Sequence, residues 1–267
     1  MNVKLIGTSL FLVFLVCALP PLAPGADSTG ETGMYSASDL LFKTITDTDV
    51  NVIVAYGEGG GSVPSHCAVL AAQYPVHQAV RSIALAAGLK LYDKGSITVV
   101  AGRDAVSNLD EPVVEIDFHH EQYDLLGIIR YLTEAFGRMG MEFKATLRDE
   151  TVVFSVCESG RQYLERYLEL AKEGIAVETL TARVFPPEDE YISIKSVRTG
   201  LSHAVRLLLR QAGINFVSTV PLQGEVIINL NNVHHMRALR LMLRMHGLDY
   251  TAIPNGILVE PLAAESH

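Results

Sequence analysis

A chain of 267 residues, 49% apolar and 19% charged, can fill a packed core, which sets it apart from intrinsically disordered proteins. Its formal charge of -9 excludes a protein that coats nucleic acid with its whole surface, because that needs a basic face. The length suits one large domain or two to four small ones.

The N-terminus reads as an export signal rather than as fold. Met1 to Lys4 carries one positive charge, Leu5 to Leu19 is almost wholly apolar, and Pro20, Pro21, Pro24 and Gly25 close the run. A charged start, an apolar middle and a small-residue exit are the order of a secretory signal peptide, assigned here to residues 1–26. Cleavage fits at Val16-Cys17-Ala18 or at Ala26. Retention as an anchor is a second outcome, although the run is short of the roughly 20 residues that span a bilayer. Lipidation of Cys17 is a third, with Val16 standing where such signals place Gly, Ala or Ser. The expected location is the periplasm, with no integral membrane segment after cleavage and with the outer membrane reached through partners. Cys67 and Cys157 remain in the exported part, in different segments; two buried thiols are expected, and a bridge between them, which an oxidising compartment permits, requires close docking of the segments.

Two linkers divide the remainder. Asp104 to Pro112 is polar and acidic; Pro186-Pro187-Glu188-Asp189-Glu190 is shorter and stiffer. They separate modules at 35–103, 112–185 and 190–262.

In the first module, Leu40, Leu41 and Ile45 mark a helix. Val50 to Val54 marks a strand before the Gly57–Gly61 turn and Ser62-Val63. A second helix carries Ala79, Val80, Ile83 and Ala84 up to Gly88, where a left-handed cap is expected, and a hairpin turns at Gly95. In the middle module, Val114, Ile116 and Phe118 alternate with Glu115 and Asp117, as in a half-buried strand. A helix with Leu125, Ile128, Ile129, Leu132 and Phe136 follows. Next come strands over Met141–Leu147 and Thr151–Cys157, a helix with Tyr163, Leu164, Tyr167 and Leu168, and a last strand over Val177–Val184. The third module repeats the order of the first: Ile192 and Ile194 in a strand, then Leu201, Val205, Leu208 and Leu209 in a helix. Strands at Ile214–Val217 and Glu225–Ile228 lead to a helix with Ala238, Leu239, Met242 and Leu243 up to Gly247. The last hairpin turns at Asn255-Gly256. The fold class is α+β: three small two-layer modules in tandem, βαββαββ-like, βαββα(β) and βαββαββ-like.

The third module resembles a known family. Its run Ala204-Val205-Arg206-Leu207-Leu208, Ala212-Gly213-Ile214-Asn215-Phe216-Val217, Gly224-Glu225-Val226, Ala238-Leu239, Leu243, Gly247-Leu248 and Gly256-Ile257-Leu258-Val259 carries the likeness. It is similar to the short N-terminal domain shared by secretins and TonB-dependent signal transducers. Asp49 to Val100 resembles that domain more loosely, with a longer stretch at Ser65–Pro75, and the middle module is similar to the KH-like periplasmic modules of secretins. The chain ends at His267 with no run of outer-membrane strands, so the likeness implies a periplasmic adaptor or scaffold without the pore. The expected partners are envelope proteins of secretion, pilus or TonB-linked assemblies, or further copies of the chain in a ring.

Residues that could carry chemistry are few. His119-His120 and His234-His235 invite a metal, but neighbours on a strand point to opposite faces and on a helix diverge by about 100°. No metal site or cofactor is expected. Ser65-His66-Cys67 are sequence neighbours, and a catalytic dyad is assembled by the fold instead. The Gly57–Gly61 turn lacks the Lys-Ser/Thr of a phosphate loop, and the middle module lacks the Gly-x-x-Gly loop of RNA-binding KH domains. Asp117, Glu121 and Asp124 read as a solvated acidic face. Tyr74, Tyr92, Tyr131 and Tyr191 are the aromatics of the alternative function, a small-ligand or cell-wall-glycan binding protein, and are scattered.

Charge is unevenly spread. Residues 191–262 hold seven basic and three acidic side chains, whereas 27–190 hold 13 basic and 26 acidic. Arg206 and Arg210 lie one helical turn apart, and Arg237, Arg240 and Arg244 recur at helical spacing opposite Leu239, Met242 and Leu243. These five arginines are the expected partner-docking surface of a protein that is not an enzyme.

Overall fold

The computed structural model describes residues 33–56, 62–102, 105, 107–119, 124–149, 151–175, 177–187 and 190–262; the expected leader and the Gly57–Gly61 turn lie outside them. The first segment runs β1 (Met34–Ser36), α1 (Ala37–Ile45), β2 (Val52–Tyr56), β3 (Ser62–Pro64), α2 (Ser65–Ala71), α3 (Val76–Ala86), β4 (Lys90–Lys94) and β5 (Ile97–Ala101). The middle segment runs β6 (Val113–His119), α4 (Leu125–Arg138), β7 (Phe143–Arg148), β8 (Thr151–Cys157), α5 (Arg161–Lys172) and α6 (Val177–Val184). The third runs β9 (Tyr191–Gly200), α7 (Leu201–Gln211), β10 (Phe216–Ser218), β11 (Glu225–His234), α8 (His235–Arg244), β12 (Leu248–Ile253) and β13 (Gly256–Pro261). The chain is α+β.

First and third segments pair their strands alike. β1 pairs β3 antiparallel as β9 pairs β11; β2 pairs β5 parallel as β10 pairs β13; β4 pairs β5 antiparallel as β12 pairs β13. Gly88 and Gly247 close the corresponding helices α3 and α8 at φ +73° and +70°. The extra length after β3 is taken up by α2.

The two segments do not stand apart. β2 pairs β11 antiparallel, Glu225 opposite Tyr56 through Asn229 opposite Val52, so one sheet of order β4-β5-β2-β11-β9 runs through both. Its central strands are buried on both faces. Val52, Val54, Val100 and Ile227 face a core with Leu41 and Ile45 of α1 and Val80 and Ile83 of α3. Ile53, Val99, Val226 and Ile228 face a second core with Val205 and Leu208 of α7 and Leu239 and Met242 of α8. Period-2 alternation thus splits each strand between two cores, giving helices on both sides of the shared sheet.

A buried side chain locks this junction. Asn229 of β11 donates Nδ2 hydrogens to the carbonyls of Thr48 (3.0 Å) and Val50 (2.8 Å), and its Oδ1 accepts from the Ser196 N–H and hydroxyl, each at 3.0 Å. Ser196 sits where β9 bulges against β11, at φ +22°. Asn229 therefore ties the α1–β2 loop of the first segment to the bulge in β9 of the third.

The middle segment has its own antiparallel sheet, β6-β8-β7, and its own core of Leu132, Phe136, Phe154, Leu164 and Tyr167. Residues 177–184 form helix α6, not the expected last strand. Fully buried Leu180 and half-buried Val184 pack into this core from one helical face. Contact with the first segment is close at Gly95, where φ is +67° and an added Cβ would stand 2.2 Å from the Gly140 carbonyl oxygen. Among the described residues no helix is long and apolar enough to cross a membrane.

Candidate functional site

Helix α8 is buried almost all round, although one of its faces is basic. Ala238, Leu239, Leu241, Met242 and Leu243 are fully buried, as in a helix enclosed by its fold. Its basic residues lie along the line where the third segment meets the middle one.

That placement changes the role of the expected docking stripe. Arg237 is buried, its side chain 5% exposed; its guanidinium forms an ion pair with Glu111, whose side chain is 4% exposed, and its Nε donates to the Gly140 carbonyl at 3.3 Å. The other Glu111 oxygen accepts from the Ser159 N–H at 3.3 Å. Burial pushes the Glu111 carboxyl up, but Arg237, the Ser159 hydrogen bond, Arg240 and Arg244 outweigh it, and the group lies below the usual glutamate value. Arg240 stacks over the Tyr250 ring at 4.7 Å, and Arg244 donates twice to one Asp249 oxygen, at 3.0 and 2.8 Å. Three of the five arginines therefore serve internal contacts and are not a free surface: the face opposite the apolar side of α8 is covered by the middle segment and by β12. Arg206 and Arg210 on α7 are exposed and form no ion pair with the described residues.

A cleft of roughly 1450 Å³ lies beside this seam, with Glu158, Arg161, Glu165, Arg244 and Asp249 on its walls. Its charges largely answer one another: Arg161 contacts both Glu158 and Glu165, and Arg244 takes Asp249. On the first segment, exposed Leu70 of α2, Tyr74 of the following turn and Leu85 of α3 line a shallow apolar surface.

The histidine pairs fare differently. His119 is exposed on β6, and His120 lies outside the described residues. His234 and His235 are both 97% buried and come together with Glu190, one ligand atom of each lying within 4.8 Å of the others. Two neighbours within one regular element would point apart. Instead the boundary between strand β11 and helix α8 falls between the two residues, and His234 is extended at φ -61°, ψ 121°. Its change of direction brings the rings to 5.1 Å, inclined at 42°. A strand pattern passing directly into a helical one at a His-His step was the available signal.

Of the other candidates, His66 is exposed and Cys67 buried on α2. Asp124 caps α4 by accepting from the Gly127 N–H at 3.0 Å, away from exposed Asp117; Glu121 lies outside the described residues. Cys67 and Cys157 are free thiols; Cys67 is buried, which raises its pKa, whereas Cys157, expected to be buried as well, is half-buried. No protein-family profile, no curated protein and no solved structure matches this chain.

Proposed function

We propose that this chain is a non-enzymatic scaffold of the bacterial envelope, serving a secretin-type secretion, pilus or TonB-linked outer-membrane assembly by docking to other proteins. The support is its internal joint. In the first segment the outer edge of β2 takes up β11 of the third, extending the sheet. The counterpart of β2 in the third segment is β10, and no described strand pairs with its outer edge. β10 bonds to β13 through Asn215, Val217 and Thr219 by the alternation of a parallel ladder, which leaves the N–H groups of Phe216 and Ser218 facing outward. An open strand edge beside exposed Val217 is a template for a strand from another module. A surface that joins unlike edges within one chain builds head-to-tail assemblies between chains.

Ser218→Pro removes one outward donor without removing a bond of the β10–β13 ladder. The wild-type chain is expected to show concentration-dependent association by light scattering, and the variant to stay at the protomer mass with an unchanged circular dichroism spectrum. A wild-type chain that stays monomeric at high concentration, and that crosslinks to no envelope protein through β10 in cells, would remove this reading. The exposed pair Arg206 and Arg210 belongs to the same proposal: changing both to Glu should reduce in vivo crosslinking to envelope partners severalfold while leaving thermal stability within about 0.5 kcal/mol. The alternative, a binding protein for small ligands or wall glycans, would use the charged cleft. A ligand there has to break ion pairs already made, which disfavours it.

A further inference from the structure

The geometry points to a site for a divalent first-row metal ion, of the zinc type, formed by Glu190, His234 and His235. It lies where the chain leaves the middle segment and enters β9, against the strand-to-helix step that opens α8.

Three observations carry it. The donors converge: the Glu190 carboxylate and His234 Nε2 stand 3.2 Å apart, close to the separation of two ligand atoms on one tetrahedral ion with bonds of roughly 2.0–2.1 Å. Next, the rings are held in place. A main-chain carbonyl can only accept, so His235 Nδ1 carries a hydrogen and donates it to the Glu190 carbonyl at 2.7 Å, leaving the lone pair on Nε2. That is the outer bond that orients metal-binding imidazoles. Third, His235 Nε2 is buried with no hydrogen-bond partner. A bare, buried imidazole nitrogen next to the Glu190–His234 pair is costly, and in a native fold it calls for a ligand.

The donor set of two imidazoles and one carboxylate suits zinc and its neighbours better than calcium or magnesium, which prefer oxygen. Three protein ligands leave a further position open, and the Glu190 side chain, 42% exposed, gives the ion a way in. An ion here would fasten the Pro186–Glu190 linker to the third segment. This inference does not depend on the scaffold reading.

The experiment uses the tag-free exported chain, stripped with a chelator and titrated with Zn²⁺ by calorimetry. One ion per chain is expected, with a rise of several degrees in the unfolding midpoint under excess Zn²⁺. Glu190→Gln and His235→Gln, each with a wild-type circular dichroism spectrum, should weaken binding at least tenfold. Co²⁺ loaded into the wild-type chain provides a readout that needs no variant, with visible absorption bands of a four- or five-coordinate site and imidazole scattering in X-ray absorption. Absence of saturable one-to-one binding, or binding unchanged in both variants, overturns the site.

Discussion

Replacing Arg237 with methionine is expected to destabilise the protein by about 3–5 kcal/mol at neutral pH, because it strands the Glu111 carboxylate in a buried position. Glu111 is 4% exposed on its side chain, and the pair sits between α8 and the middle segment. The double variant Glu111→Leu/Arg237→Met removes both charges and should recover much of that loss, because two uncharged partners leave no lone ion to solvate. Urea unfolding of the four proteins measures the cycle. The pH dependence follows from the sign of the shift. In the wild type the Glu111 pKa lies below its unfolded value of roughly 4.3, so its contribution is complete above that pH and is lost as the pH falls through the lower, folded value. Without Arg237 the largest influence lowering the Glu111 pKa is gone, and the folded pKa rises above that of the wild type. The variant then gains relative to wild type as the carboxyl takes up its proton. The gap between them should narrow from pH 7 to pH 4; a gap that is constant or widens toward acid would contradict the assignment.

Asn229→Asp should cost about 3 kcal/mol or more and open the joint between first and third segments. The substitution keeps the acceptor for Ser196 but removes both donors and sets a buried negative charge against the carbonyls of Thr48 and Val50. Asn229→Ala leaves all of these groups unpaired, and its loss should be similar. The distinguishing readout is local: amide hydrogen exchange should accelerate most at β2 and β11, which share the junction, and least in β6–β8, whose sheet is separate. Uniform acceleration across the chain would mean that Asn229 supports the fold generally and is no joint.

The two charge patterns show how far sequence reasoning reached. Arg206 and Arg210 are exposed on α7, as a polar stripe on an amphipathic helix predicts. Arg237, Arg240 and Arg244 form the same kind of stripe on α8, yet they lie against Glu111, Asp249 and Tyr250. Spacing along a helix says which residues share a face but not what covers that face. The acidic linker before the middle segment and the basic helix α8 were both visible in the sequence; their pairing joins residues 126 apart. The His234-His235 step had a comparable limit. Each residue is ordinary in its own element, and only the turn between two elements brings both rings to Glu190.

Local periodicity by itself determined the α+β class, the strand–helix–strand–strand–helix–strand–strand order in residues 190–262 and the helical stops at Gly88 and Gly247, because side-chain spacing and backbone freedom act over a few residues. It misjudged residues 177–184, expected as a strand, which form a helix that seats Leu180 in the middle-segment core. Tertiary structure alone decided that β2 takes β11, that one sheet serves both repeated segments, and which charges are buried. The groups that join strands are the backbone N–H and C=O, which every residue but proline carries alike, so which two edges meet is settled by how the cores pack around them.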